Sequence, residues 1–167
     1  MLNVGDLIIY PGHGICKVDS ISDKTYAKRT RKYYVLHPIE NGRDLTINAP
    51  VENKTTEMLK LINKEEAITL LEVFKGNGID WIEKPQSRNN TFSDILKSGN
   101  RVEIAKVATT LMRKQYEIEK DGKKFYENDR KILTNIHSIL FKELSLALDL
   151  TTDEIYEKVS NMISKSA

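Results

Sequence analysis

The sequence predicts an α+β protein, with a small SH3- or Tudor-like β-barrel at the N-terminus and a compact helical bundle after it. Three observations lead there. Short strand-favouring runs separated by Gly, Pro and Asn corners fill residues 1–50. Apolar residues recur with helical spacing beyond them. Capping boxes at Asn63, Asn100 and Thr151 mark where helices begin.

The β part opens with Val4-Gly5-Asp6, a turn, and Leu7–Tyr10, a run of strand formers. Pro11-Gly12-His13-Gly14 breaks that strand, because proline lacks an amide donor and glycine accepts positive φ. Ile15, Cys16 and Val18 resume it. Strands are expected at 7–10, 14–21, 32–37 and 44–48. Asn41-Gly42 is a hairpin signal between the last two. Leu45 and Ile47 alternate with Thr46 and Asn48, as on a half-buried strand. The basic run Lys28-Arg29-Thr30-Arg31-Lys32 reads as a charged hairpin tip that also guards an edge against aggregation.

Composition changes near residue 50, so the domains are expected at 1–53 and 54–167. Asn63-Lys64-Glu65-Glu66 caps a helix carrying Ile68, Leu71 and Val73, which Gly76-Asn77-Gly78 ends. A short helix over 91–97 closes at Gly99. Asn100 opens a strongly patterned helix, with Ile104, Val107, Ala108 and Leu111 on one face, running to about Lys120 before Asp121-Gly122 turns the chain. Ile132, Leu133, Ile136, Ile139, Leu140, Leu144 and Ala147 form the stripe of the next helix. Thr151 caps the last, with Ile155, Val159 and Met162.

The totals narrow the function. At 167 residues, 40% hydrophobic and 30% charged, the chain suits one globular domain or two small ones. It has neither a long apolar span nor a basic start followed by an apolar stretch, so neither a membrane segment nor a secretory leader is expected. One cysteine, Cys16, fits a reducing cytoplasm and reads as a small apolar strand residue. Net charge is only +2: residues 1–60 hold nine Lys/Arg and seven Asp/Glu, and the remainder carries 17 of each. Any DNA contact by the second part therefore needs a local patch and a tether. No phosphate loop, dinucleotide fingerprint or paired-His zinc helix is present, and His13, His37 and His137 lie far apart. Binding, not catalysis, is expected, with no cofactor, metal or small-molecule substrate.

Two features could carry that binding. Trp81, the single tryptophan, sits among Gly, Asp, Glu, Lys and Pro. It is either a core anchor or an exposed wedge beside a DNA base step. Gln86-Ser87-Arg88-Asn89-Asn90 follows it, either a solvated loop or a set of phosphate contacts. Lys106, Arg113 and Lys120 recur every seventh residue, with Lys114 beside them and Glu117 interrupting. Such a stripe is either a solvated helix face or a phosphate-contacting one.

Val4-Gly5-Asp6, Ile8-Ile9-Tyr10-Pro11 and His13-Gly14-Ile15 resemble the start of the CarD/CdnL family of bacterial transcription regulators. The resemblance extends through Tyr33-Tyr34-Val35-Leu36, Leu45-Thr46-Ile47, Pro50-Val51-Glu52-Asn53, Leu96-Lys97-Ser98-Gly99-Asn100, Val107 to Leu111 and the Lys142 to Ala147 run. It implies a Tudor-like domain that binds the RNA polymerase β subunit and a helical domain that contacts promoter DNA without sequence specificity. A tryptophan would sit in the minor groove at the upstream edge of the bubble and slow collapse of the open complex. Trp81 would carry that role here, with Arg88, Lys106, Arg113 and Lys114 as phosphate contacts. Leu45, Thr46, Ile47 and Asn48 would face the polymerase. The chain departs from the pattern in placing Ile82-Glu83-Lys84-Pro85 directly after Trp81, and in having Asn48 where some members are basic. The other reading is an adaptor that docks on polymerase without touching DNA.

Overall fold

The computed structural model describes residues 1–40, 44–52 and 58–165. The chain divides into two compact units, Met1–Leu61 and Ile62–Ala167.

Among the described residues the first unit is an antiparallel sheet in the order β4-β3-β2-β1-β5. Its strands are β1 (Leu7–Tyr10), β2 (Gly14–Tyr26), β3 (Arg29–Pro38), β4 (Ile47–Pro50) and β5 (Leu59–Lys60). β1 lies where the sequence places it. β2 and β3 run well past the expected 14–21 and 32–37, because Ala27 and Lys28 adopt positive φ and close a two-residue hairpin. The basic run thus becomes the end of a ribbon in which Tyr26 faces Arg29, Thr25 faces Thr30 and Lys24 faces Arg31. β4 begins at Ile47, so Leu45 and Thr46 precede it, contrary to the expected strand over 44–48. The Asn41-Gly42 hairpin signal falls outside the described residues.

The core of this unit is Ile8, Cys16, Val18, Tyr34, Leu36 and Ala49. Its even-numbered members follow the two-residue period of β2 and β3, and a bulge between Val18 and Ser20 shifts the register.

The second unit is helical: α1 (Lys64–Val73), α2 (Pro85–Ser98), α3 (Arg101–Lys120), α4 (Glu127–Ile136), α5 (Lys142–Leu148) and α6 (Thr152–Lys165). A π-helical segment, His137–Phe141, joins α4 to α5. The Asn63–Glu66 capping box is complete, as is that of Thr151 and Glu154. At Asn100 only half of the expected box forms: its side chain accepts from the Glu103 amide, while its own N–H donates to Ser98 Oγ (3.2 Å) and the Glu103 carboxylate pairs with Lys106. In α1, Ala67, Leu70 and Leu71 are the buried residues, while Ile68 is 50% exposed.

The short helix expected over 91–97 is instead fourteen residues long. Pro85 at its first turn has no amide to lose and a φ already suited to a helix, so polar residues 86–90 are helical and not a loop.

α3 is the central element, packed by α1, α2, α4 and α6. It buries Ala105, Val107, Ala108, Thr109, Thr110, Leu111 and Met112, more than one stripe, as a surrounded helix must. Its first turn is tied to α5 by Arg101, whose Nε and Nη2 donate to Glu143 Oε1 (2.6 Å) and Oε2 (2.8 Å). No described helix is long and apolar enough to cross a membrane.

Candidate functional site

Trp81 lies on the irregular segment between α1 and α2. Ordinarily eleven residues without regular structure would be loose; here side chains hold them. Gly78 passes so close to α3 that a Cβ there would overlap Thr110 Oγ1 and stand 2.9 Å from the Lys106 carbonyl. The next residue exchanges two hydrogen bonds with the same threonine. Ile79 N–H donates to Thr110 Oγ1 (2.8 Å), and the hydroxyl donates to the Ile79 carbonyl (2.7 Å). Arg113 Nη2 donates to the Gly76 carbonyl (3.2 Å). The chain is therefore fixed to α3 just before it reaches Trp81.

Arg88 fixes it just after. Its Nη1 donates to the Ile82 carbonyl (2.9 Å). Nε and Nη2 donate to Asp129 Oδ1 (2.9 Å) and Oδ2 (2.7 Å) on α4, both side chains being 2% exposed. Two-point geometry of this kind is what makes a buried arginine–carboxylate pair tolerable. The guanidinium also lies 4.2 Å from the centre of the Trp81 ring and 5.3 Å from that of Tyr126. Arg88, expected as a phosphate contact, stands here as an internal strut: it is 2% exposed, and its Nε, Nη1 and Nη2 all donate within the protein.

Trp81 itself is half-buried and packs on the helical core. Lys114 Nζ lies 5.0 Å from its ring, so two cations accompany one indole. The arrangement brings Trp81, Arg88 and Lys114 together. Lys106 pairs with Glu103 (3.2 Å), and Lys114 also meets Glu117 (3.4 Å). Both are exchangeable i,i+3 surface pairs, which leave the ammonium groups available to a stronger anion. Arg113 serves the Gly76 strap.

Three residues of this arrangement carry no motif: Thr110, Asp129 and Tyr126. Asp129 nonetheless leaves a trace in the sequence. It stands in the apolar stripe of Phe125, Ile132, Leu133 and Ile136, where a lone acid needs a buried cation. Tyr126, 55% exposed, is recognisable only once Arg88 is seen beneath it.

In the first unit β4 pairs with β3 alone, so its outer side carries no strand among the described residues. Leu45 (43% exposed), Thr46 and Asn48 are exposed and Ile47 is half-buried. These four form one continuous run at the sheet edge, where backbone groups and side chains can both be read by a partner. Cys16 is fully buried, and burial pushes its thiol up to about 11, far from the reactive range. No three His, Cys, Asp or Glu among the described residues are grouped to hold a metal.

Comparison with known proteins covers both units. Residues 2–62 match the family described as the CarD-like/TRCF RID domain. Residues 69–160 match that described as CarD, C-terminal domain. The chain is also 26% identical over 157 residues, 93% of its length and 97% of the relative's, to the Bacillus subtilis (strain 168) protein named "Putative transcription factor YdeB".

Proposed function

Since the chain belongs to the CarD family of bacterial RNA polymerase-binding transcription regulators, we propose that it binds the polymerase β subunit and stabilises the promoter open complex. In this reading the first unit is a Tudor-like docking domain whose edge residues Leu45, Thr46, Ile47 and Asn48 face the polymerase. The second is the DNA-contacting domain. Trp81 enters the minor groove at the upstream edge of the bubble, with Lys106, Arg113 and Lys114 near the backbone. No catalytic step and no cofactor are assigned to it, and it works in the cytoplasm, on the nucleoid.

The observation that carries the reading is the bracing of Trp81 on both sides, by Thr110 before it and Arg88 after it. A wedge is effective only if it is held rigid before it meets DNA, since ordering it on binding would cost entropy. Occupying an unstacked step is worth a few kcal/mol, enough to shift an open–closed equilibrium between states of similar energy. A formally neutral second part binds DNA weakly alone, and docking on polymerase supplies the effective concentration.

One observation favours the adaptor instead. The Trp81 ring is half-buried and already partnered by Arg88 and Lys114, as an anchor's would be. Open-complex lifetime with purified cognate RNA polymerase separates the two. The wedge reading expects the protein to lengthen the lifetime and Trp81→Ala to abolish the effect while polymerase binding and melting temperature hold. An unchanged lifetime with intact polymerase binding sinks the wedge and leaves the adaptor.

A further inference from the structure

α4 begins against the local rules. Tyr126 is its N-cap, a position where Asn, Asp, Ser or Thr normally caps with its side chain, as Asn63, Asn100 and Thr151 do elsewhere in this chain. No side-chain cap bond forms at Tyr126, although the Arg130 N–H donates to its carbonyl (3.0 Å) and closes the first helical turn. Asp129, three residues on, stands where a capping-box acid would reach back to the N-cap amide. Its two oxygens accept from Arg88 instead (2.9 and 2.7 Å). The helix thus gives up both of its usual starting devices, and both residues turn to the same buried cation. A local rule broken twice at one place marks a position held for something other than stability.

The Arg88 side chain is 2% exposed. Three side chains meet its guanidinium: Asp129, Trp81 (4.2 Å to the ring centre) and Tyr126 (5.3 Å). Asp129 is buried and Trp81 half-buried, while Tyr126 is 55% exposed, so Tyr126 is the outer wall between the guanidinium and water. That wall is itself fixed in place. Phe125 before it is 2% exposed in the helical core, and the first turn of α4 follows it. A contact between a cation and an aromatic ring strengthens as water is excluded. Keeping water off Arg88 therefore tightens its hold on the Trp81 ring and on the Ile82 carbonyl just after it.

We infer that Tyr126 is a positioning residue for Trp81, acting through Arg88: its ring, and not its hydroxyl, keeps the guanidinium dry and so holds the indole still. The use of this to the open complex rests on the wedge reading, whereas the positioning is a property of the free protein.

The test uses the full chain in four forms: unaltered, Tyr126→Phe, Tyr126→Ser and Trp81→Ala. Each is followed by melting temperature and by open-complex lifetime with cognate polymerase on one promoter. The first three are also followed by acrylamide quenching of the single indole. Tyr126→Ser removes the ring and installs a capping hydroxyl, so helix start and indole positioning change in opposite directions. The inference expects stronger quenching and a lifetime shorter by about two- to fivefold, the size of one accessible contact between a cation and a ring, with the melting temperature held or raised. Tyr126→Phe, which keeps the ring, should match the unaltered protein in all three. Unaltered quenching in Tyr126→Ser overturns the inference, as does an unaltered lifetime where Trp81→Ala shortens it. A melting temperature that falls with the lifetime also overturns it, because the residue is then structural only. So does a loss in Tyr126→Phe equal to that in Tyr126→Ser, which assigns the effect to the hydroxyl. If Trp81→Ala leaves the lifetime unchanged the wedge falls, and quenching alone then decides whether Tyr126 positions the indole.

Discussion

Arg88 and Asp129, forty-one residues apart, meet in a two-point ion pair in which each side chain is 2% exposed. Breaking such a pair leaves a charge with neither water nor counterion, at a cost of about 3–5 kcal/mol. Asp129→Ala should lose that much unfolding free energy in urea. Replacing both partners by apolar residues, Arg88→Met with Asp129→Leu, should recover much of it. Trp81, the single indole, reports the same event by a shifted emission when the guanidinium leaves its ring. A loss below about 1 kcal/mol for Asp129→Ala, the range of exposed pairs, would mean the pair is solvated in solution.

Gly78 and Gly76 offer a matched contrast. A methyl at Gly78 would overlap Thr110 Oγ1, whereas one at Gly76 would meet the Val73 carbonyl at an ordinary 3.5 Å. Gly78→Ala should therefore cost about 1–3 kcal/mol, the usual penalty of overpacking. On the proposed wedge reading it should also shorten the open-complex lifetime, by displacing the Trp81 segment. Gly76→Ala should alter neither measurably. Equal behaviour of the two variants would show that the strap on α3 is not tight.

His137 gives the second unit a pH dependence of known sign. Its ring lies against Phe141 (4.5 Å) and Tyr156 (5.3 Å), and its Nε2 is buried without a hydrogen-bond partner. Burial lowers its pKa below the ordinary imidazole value. The unfolded chain then binds the extra proton first, so stability is full above about pH 6.5 and falls as pH drops below it. Chemical denaturation between pH 5 and 8 should show this slope, and His137→Phe should remove it. A slope that survives the substitution assigns it to another group.

Ala27 and Lys28 both hold positive φ (50° and 64°) in the ribbon turn, a conformation that costs an L-residue roughly 1 kcal/mol each. Replacing them by Asn-Gly, the pair best suited to such turns, should stabilise the ribbon by about that amount. Slower amide exchange at Lys24 and Arg31 is the readout. Unchanged exchange would mean that the turn does not limit ribbon opening.

Much of this was legible in the sequence. β1, the three helix starts at Asn63, Asn100 and Thr151, and the full length of α3 follow from turn chemistry, capping and periodicity, all of which act locally. The far end of the ribbon is hard to see in sequence because, apart from the Tyr26–Tyr33 ring pair, its residues are polar and mostly exposed and give no two-residue alternation. The first turns of α2 are obscure in sequence because Gln86, Ser87, Asn89 and Asn90 are typical loop residues, and only Pro85 at the first turn points to a helix. Within the site Trp81 and Lys114 stood out. The burial of Arg88 is not visible locally, since its partner Asp129 lies forty-one residues away on another helix and nothing in the Arg88 segment itself marks the pairing.

The π-helical turn at His137–Phe141 explains a peculiarity of the apolar stripe around it. Ile132, Ile136, Leu140, Leu144 and Leu148 recur every fourth residue, and all of them touch the same core. An α-helix completes a turn in 3.6 residues, so each four-residue step overshoots by about 40° and four steps drift by about 160°. Wound uniformly, Leu148 would end on the side opposite Ile132. The wider π turn takes more residues per revolution and returns part of that drift midway. The segment thus acts as a phase correction, letting a sequence with the wrong period for a straight helix keep one face on the core across both α4 and α5.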